Sequence, residues 1–364
     1  MTVDLDRIVT LDDLEPLARA AMDRGAFDYV AGGSWDEVTL ADNVAAWRRW
    51  RFRPRILVDV SHVDVATTML GTAVSLPIAV APMAVQALAH PDGEAEAIRG
   101  AHAAAVPYIL STTSSSSIEE VAEAAPGSTR WFQLYAQADP GMTRSLVERA
   151  EAAGFEAIVL TVDLPVLGYR DRDRRSGFVL PPLGDFRDTP ATHGSRRPTP
   201  SASSDAFISG DHIEPSLTWD DVATIRGWSG LPLVLKGILT AEDARIAVDH
   251  GVQAIAVSNH GARQLDRVRA TADALGEVAA AVDGRTEVWV DGGIRRGLDV
   301  AVALALGARG VLVGRPFYWA LAVGGAAGVA RAAEILREEF AIALALLGVR
   351  SPAELGPAHV EAHP

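Results

Sequence analysis

The sequence predicts an α/β protein, a (β/α)8 or TIM barrel, on three observations. Short apolar β-rich runs recur eight times after residue 76, amphipathic segments separate them, and polar residues gather where the runs end.

The runs are 77–85, 107–113, 130–136, 157–163, 232–238, 254–260, 287–293 and 310–314. They are continuously apolar rather than alternating, as strands covered on both faces are. The segments between them include 143–153, 241–250 and 298–306, which carry helical patterns. Some have clear start signals: Ser117 precedes Ile-Glu-Glu and Thr240 precedes Ala-Glu-Asp, each placing a side-chain acceptor ahead of a first turn. Eight β/α units of this spacing fit a closed barrel. An open doubly wound sheet has the same periodicity, so periodicity does not separate the two.

The chain reads as a single domain. Residues 1–76 predict a helical lead-in over the barrel floor or flank, 77–348 the barrel, and 349–364 a loosely ordered tail. Residues 183–216, with THGSRRPTPSASSDAF at their centre, form a Pro-, Ser-, Thr- and Gly-rich insertion after the fourth strand. Such a loop is expected to be mobile, and a lid and a tolerated surface insertion fit it equally.

Apolar residues make up 49% of the 364 positions, enough for a large core, and the net charge of −14 argues against a nucleic-acid surface. There is no cysteine, which excludes disulfides, thiolate chemistry and Cys-ligated metals, and no metal is expected. The segment MTVDLDRIVTLDDLEPLARAA carries acids and lacks a signal pattern. The nearest approach to a membrane span, 311–330, contains Arg315, Pro316 and several glycines and suits a buried strand-loop-helix better. A soluble cytoplasmic protein is the expectation.

Six strand ends are polar: Gln133-Leu134-Tyr135, Thr161-Val162-Asp163, Lys236-Gly237, the stretch Ser258 to Arg263, Asp291-Gly292-Gly293, and Gly314-Arg315. A barrel brings all of them to one face, where its active site lies. The glycine turns after strands seven and eight stand where barrels bind phosphate, with Arg315 and Arg295 to add charge. Taken singly, each turn is as well explained by tight geometry and a solvated arginine; together they favour an anion. Lys236 on an apolar strand needs an anionic partner, either a cofactor carrying negative charge or a carboxylate such as Asp163 or Asp291. His260 can accept a proton near neutral pH, and Arg263 can hold a carboxylate bidentately. Asp163 is the candidate to orient His260. His62, His90, His102, His193, His212 and His250 read as core or surface residues.

The stretch SNHGARQLD at 258–266, with Lys236-Gly237, TVD at 161–163, QLY at 133–135 and DGGIRRG at 291–297, resembles the FMN-dependent 2-hydroxy acid oxidase and dehydrogenase family. Glycolate, lactate and mandelate oxidases belong to it. The likeness runs from about residue 27 to 348 and includes FDYVAGG, FRPRILVDV, APMA and HPDGE. It implies FMN at the C-terminal face of the barrel and oxidation of an (S)-2-hydroxy acid to the 2-keto acid. By the same resemblance His260 is the base with Asp163 as its partner, and Arg263 and Arg170 bind the substrate carboxylate. Tyr29 and Tyr135 place hydroxyls beside the substrate. Pro82, Met83, Ala84, Ser111, Gln133, Thr161 and Lys236 meet the isoalloxazine, with Lys236 near its N1 and Ser258 at the edge. Asp291, Gly293, Arg295, Gly314 and Arg315 hold the ribityl phosphate. A homotetramer and oxygen as acceptor, giving hydrogen peroxide, are further implications.

One departure bears on the substrate. Glycolate oxidase-like sequences carry Trp where this chain has Thr113, so the sequence favours an aryl acid, mandelate or 4-hydroxymandelate, over lactate or glycolate. Refilling of the space by another side chain is the alternative. Ala262 and Arg269 stand where the family usually has Gly and Pro, with no catalytic meaning expected. Competing classes are an FMN-dependent isomerase or phosphate-binding aldolase on the same barrel, an enzyme using another electron acceptor, and a non-enzymatic flavoprotein.

Overall fold

A computed structural model describes residues 3–181, 183–186 and 213–363. Most of the predicted insertion, with His193 and His212, lies outside the described residues.

In chain order the strands are β1 (Trp50–Phe52), β2 (Thr67–Met69), β3 (Thr72–Val74), β4 (Ile78–Val80), β5 (Tyr108–Ser111), β6 (Arg130–Leu134), β7 (Ile158–Thr161), β8 (Leu233–Ile238), β9 (Ala254–Val257), β10 (Glu287–Val290), β11 (Gly310–Val313) and β12 (Val360–Ala362). Strands β4 to β11 are the eight predicted runs, trimmed at their ends. They close a parallel barrel, with β11 pairing β4 through Val311 and Ile78. An open sheet is thereby replaced by a ring.

Alternation along the strands sorts the core into two layers. Ile109, Trp131, Val159, Val234, Ala256, Trp289 and Leu312 form an inner cluster, in which Trp131 and Trp289 stack with centroids 4.8 Å apart. Their neighbours, among them Leu110, Phe132, Leu160, Leu235 and Ile255, point outward to the helices. The helices begin as the caps predict: Ser117 accepts from Glu120 N, and Thr240 from Asp243 N.

The β2–β3 hairpin closes the barrel floor. Met69 and Val74 join the inner cluster, and Leu70 N donates to the Glu287 carboxylate at the start of β10 (3.1 Å). Part of the lead-in departs from expectation, because its helices Arg24–Ala31 and Val38–Trp47 cross the opposite, C-terminal end. Asn43 and Asn259 exchange amide bonds (2.9 and 2.8 Å), and Trp47 Nε1 donates to Gly292 O (2.8 Å). Charged caps hold the same junction: Asp266 accepts from Thr39 N (2.8 Å).

The tail also corrects the expectation of loose order. Antiparallel β12 pairs with β1, Val360 opposite Phe52, and Val349 is buried. The stretch 311–330 runs from β11 through Gly314 directly into the helix Arg315–Leu347, without a longer loop. Among the described residues this helix alone is long and apolar enough to cross a membrane. It breaks at the non-helical Gly324 and Gly325 and packs on the helices Leu14–Ala21, Gly93–Ala103 and Gly297–Ala305. A long core helix satisfies the same composition.

Met69 is fully buried under the stacked tryptophans. Met69→Ala should lower unfolding free energy by about 2–5 kcal/mol, the usual cost of a core cavity. Denaturant titration checks this, and an unchanged midpoint would show that the floor collapses to fill the space.

Candidate active site

The inner layer changes character one step above Trp131 and Trp289. Two residues further along the strands, the inward positions become Ser111, Gln133, Thr161, Lys236, Ser258 and Asp291. An apolar plug thus carries a polar deck.

The deck is wired as two groups. Ser111 Oγ donates to Gln133 Oε1 (3.1 Å), and Gln133 Nε2 donates to Thr161 Oγ1 (3.1 Å). Lys236 Nζ donates to Ser258 Oγ (3.0 Å) and lies 3.1 Å from Asp291 Oδ2, to which Ser258 also donates (2.8 Å). Burial alone would depress the Lys236 ammonium, but Asp291 and Asp163 outweigh it and hold the pKa above its ordinary value. The carboxylate partner considered from sequence is therefore Asp291, and Lys236 still lines the cleft.

Above the deck, the turn after β9 brings up His260. Its Nδ1 lies 2.8 Å from Asp163 Oδ1, and its Nε2 lies 3.2 Å from the Tyr135 hydroxyl. The turn is strained: His260 and Ala262, neither of them glycine, have φ of +59° and +63°. Ser258 Oγ accepts from His260 N (3.1 Å) and Asn259 Oδ1 from Ala262 N (3.1 Å), which fixes that conformation. Asp163 reaches the imidazole because Gly237 lies beneath it; a Cβ there would stand 2.7 Å from Asp163 Cβ.

Burial lowers the His260 pKa, and Lys236 and Arg170 add to this against the opposing pull of Asp163. The imidazole is therefore neutral at pH 7, with Nε2 free to accept once Nδ1 donates to Asp163. Burial would raise the Asp163 carboxyl, but His260 and Lys236 outweigh it, so the carboxylate stays ionised. Burial raises the Tyr135 phenol, which keeps its proton.

Four arginines crowd the same cleft. Arg263 donates to Tyr29 O (2.6 Å) and Gly32 O (3.1 Å), while Arg315 donates to Val30 O, Gly261 O and Gly32 O. Arg170 Nε reaches Arg263 O at 3.4 Å. Among the described residues no carboxylate lies within ion-pair distance of Arg170, Arg263 or Arg315. Burial, compounded by Arg263, pushes Arg170 down to about 10 and Arg315 to about 9. Burial lowers Arg295 as well, with Asp12 3.9 Å away. Cations packed this way call for anions.

These groups line one open cleft. Pro82, Met83 and Ala84 form one wall with Ser111, Thr113 and Thr161. Gly293, Arg295, Gly314 and Arg315 line it as well, as do Tyr29, Tyr135, Arg170, His260 and Arg263. Three predicted residues stand behind the surface: Gln133, Ser258 and Asp163 support lining groups. Leu164, Leu167, Val30 and Tyr318 line the cleft and were missed. Leu164 and Leu167 fall between Asp163 and Arg170, which is the signal that could have found them. Val30 follows Tyr29, whereas Tyr318 comes from a helix and carried no signal.

The cleft suits the cofactor implied by the sequence. Asp291 Oδ1 is buried beside it without a hydrogen-bond partner, fitting a sugar-alcohol hydroxyl, and Arg295 with Arg315 fits a phosphate.

Residues 18–362 match the family of FMN-dependent dehydrogenases. The chain is 49% identical to an L-lactate oxidase of Nostoc sp., covering 93% of this chain and 94% of that protein. It is 46% identical to the glycolate oxidase of Spinacia oleracea, covering 98% and 96%. Its fold resembles a crystal structure of mandelate oxidase with (S)-4-hydroxymandelic acid at a TM-score of 0.91, with 45% identity and 98% and 99% of the chains covered.

Removing one partner of a buried ion pair leaves the other charge uncompensated. Lys236→Met should therefore lower stability by about 3–5 kcal/mol, and adding Asp291→Asn should restore much of the loss. Denaturant unfolding of the single and double variants tests this; additive losses would mean that the two groups act independently.

Proposed function

Because the chain belongs to the FMN-dependent dehydrogenase family, whose FMN-dependent enzymes oxidise the CH–OH group of 2-hydroxy acids, we propose that its substrate is an (S)-2-hydroxy acid with an aryl side chain, mandelate or 4-hydroxymandelate, and that oxygen reoxidises the cofactor to give hydrogen peroxide. The observation that carries the aryl reading is Thr113. This small side chain lines the cleft, and its Oγ1 lies 3.0 Å from Ser111 Oγ in the deck, so it does not cap the substrate end as a large ring would. Leu164 and Leu167 supply apolar surface in the same cleft. The likeness to mandelate oxidase points the same way, and the relatives named for lactate and glycolate make a small aliphatic acid the competing reading.

Pro82 to Ala84, the deck, Arg295 and Arg315 would hold FMN, which when bound would supply the acceptor for two electrons. The residues of the chain do the rest. Arg263 and Arg170 receive the carboxylate, which relieves their mutual repulsion and fixes the reacting carbon. Tyr29 and Tyr135 stand beside the same position. His260 takes a proton at Nε2, and Asp163 stabilises the imidazolium that results. Lys236 keeps its positive charge and would stabilise negative charge that builds up on a cofactor bound beside it.

Anaerobic bleaching of the bound flavin with glycolate, lactate and each enantiomer of mandelate, followed by air, tests the substrate and acceptor together. Selective bleaching by (S)-mandelate with peroxide-forming recovery is expected; bleaching by lactate or glycolate alone would discard the aryl reading. Thr113→Trp should shift preference toward the small acids, and an unaltered profile would remove Thr113 from the argument. His260→Ala should retain FMN while slowing flavin reduction by about 10²–10⁴-fold. In the wild type, reduction should fall with pH only below His260's ordinary pKa of 6.5, since burial lowers it and the protonated ring accepts nothing. An acid limb centred above neutrality would count against His260 as the base.

A further inference from the structure

Each of two loops supplies half of the dyad and half of the arginine pair. The loop after β7 carries Asp163 and Arg170, and the turn after β9 carries His260 and Arg263. Neither loop is regular, and residues 162–170 form no helix or strand. Val166 and Tyr169 on the first loop are exposed. Without a substrate, Arg170 and Arg263 also repel one another. Something must hold the loops in register before any carboxylate arrives.

The structure assigns this task to Gln264. The residue is 7% exposed, and its amide bonds to the facing loop. Nε2 donates to Asp163 O (2.9 Å) and to Val166 O (2.8 Å), and Oε1 accepts from Gly168 N (3.1 Å). Both donor hydrogens and the acceptor oxygen are engaged, so the amide cannot flip without losing bonds. The backbone contact is equally close: a Cβ on Gly168 would stand 2.4 Å from Arg263 O. Gln264 therefore fixes the backbone of Asp163 directly and that of Arg170 through Gly168. Its own backbone adjoins Arg263.

Gln264 touches neither the cleft nor the dyad side chains, so it is a positioning residue. It sets two distances at once, from Asp163 to His260 and from Arg170 to Arg263. A neutral amide suits the position, since a cation would worsen the repulsion and a carboxylate would face two carbonyl oxygens. Preorganisation of this kind matters because a displacement of about 1 Å can cost about 10²-fold in rate.

The inference rests on His260 as base and on the arginines as the carboxylate site. Holoenzyme Gln264→Met, of similar length without polar atoms, should retain FMN. It should reduce its flavin about 10²-fold more slowly and bind benzoylformate, read from flavin absorbance, about tenfold more weakly. Gln264→Glu keeps the acceptor for Gly168 N, loses both donors, and should lose reduction rate in the same direction. Either variant, with FMN bound, matching wild type within about twofold in both readouts would overturn the proposal. Loss of FMN from both would overturn it too, by making Gln264 a general support of the fold. If His260→Ala still reduces its flavin, the base assignment fails on its own, and benzoylformate binding still judges the strap through Arg170.

Discussion

The structure depends on one constraint: inward positions along barrel strands recur every second residue, and here that series passes from apolar to polar within a single step. Ile109, Trp131, Val159, Val234, Ala256 and Trp289 fill the interior. Ser111, Gln133, Thr161, Lys236, Ser258 and Asp291 follow them. The stacked tryptophans make the barrel a solid plug rather than a pore. Every polar group above it is lifted to the C-terminal face, where it must find a partner in its own layer or in a ligand.

That layer sets the electrostatics of the site. Lys236, Ser258 and Asp291 satisfy one another almost completely, and the residue left over is informative, because Asp291 Oδ1 stays buried and unpaired beside the cleft. The arginines follow the opposite logic. They are tied to backbone carbonyls of the lead-in and the β9 turn, which orient them without neutralising them. A guanidinium bonded to carbonyls keeps its full charge for an anion. The same carbonyls, at Tyr29, Val30 and Gly32, bind the lead-in to the rim, so the cationic cleft and the docking of residues 24–47 are one piece of construction.

Strain and close packing cluster at the same place. His260 and Ala262 sit in left-handed backbone held by Ser258 and Asn259, and Asp163 packs over Gly237. Holding His260 and Asp163 at 2.8 Å in a largely buried site requires that neither loop drift, and irregular loops have no ladder to prevent it. Side chains reaching from one loop to the backbone of the other supply what secondary structure does not.

The sequence by itself determined the strands and the polar strand ends, and it singled out His260, Asp163, Lys236 and the arginines as candidates, because period and residue type are local properties. It also pointed to the phosphate-like end, since glycine turns in fixed order leave a readable pattern. Tertiary structure alone decided which partner Lys236 takes, that Gln133, Ser258 and Asp163 stand behind the cleft surface, and that Tyr318 reaches it from a helix. It also decided that residues 24–47 cross the rim and that β12 pins the tail to β1. Each of these depends on contacts between segments far apart in the chain, and a hydrogen bond such as that from Trp47 to Gly292 leaves no period or spacing in the sequence to read.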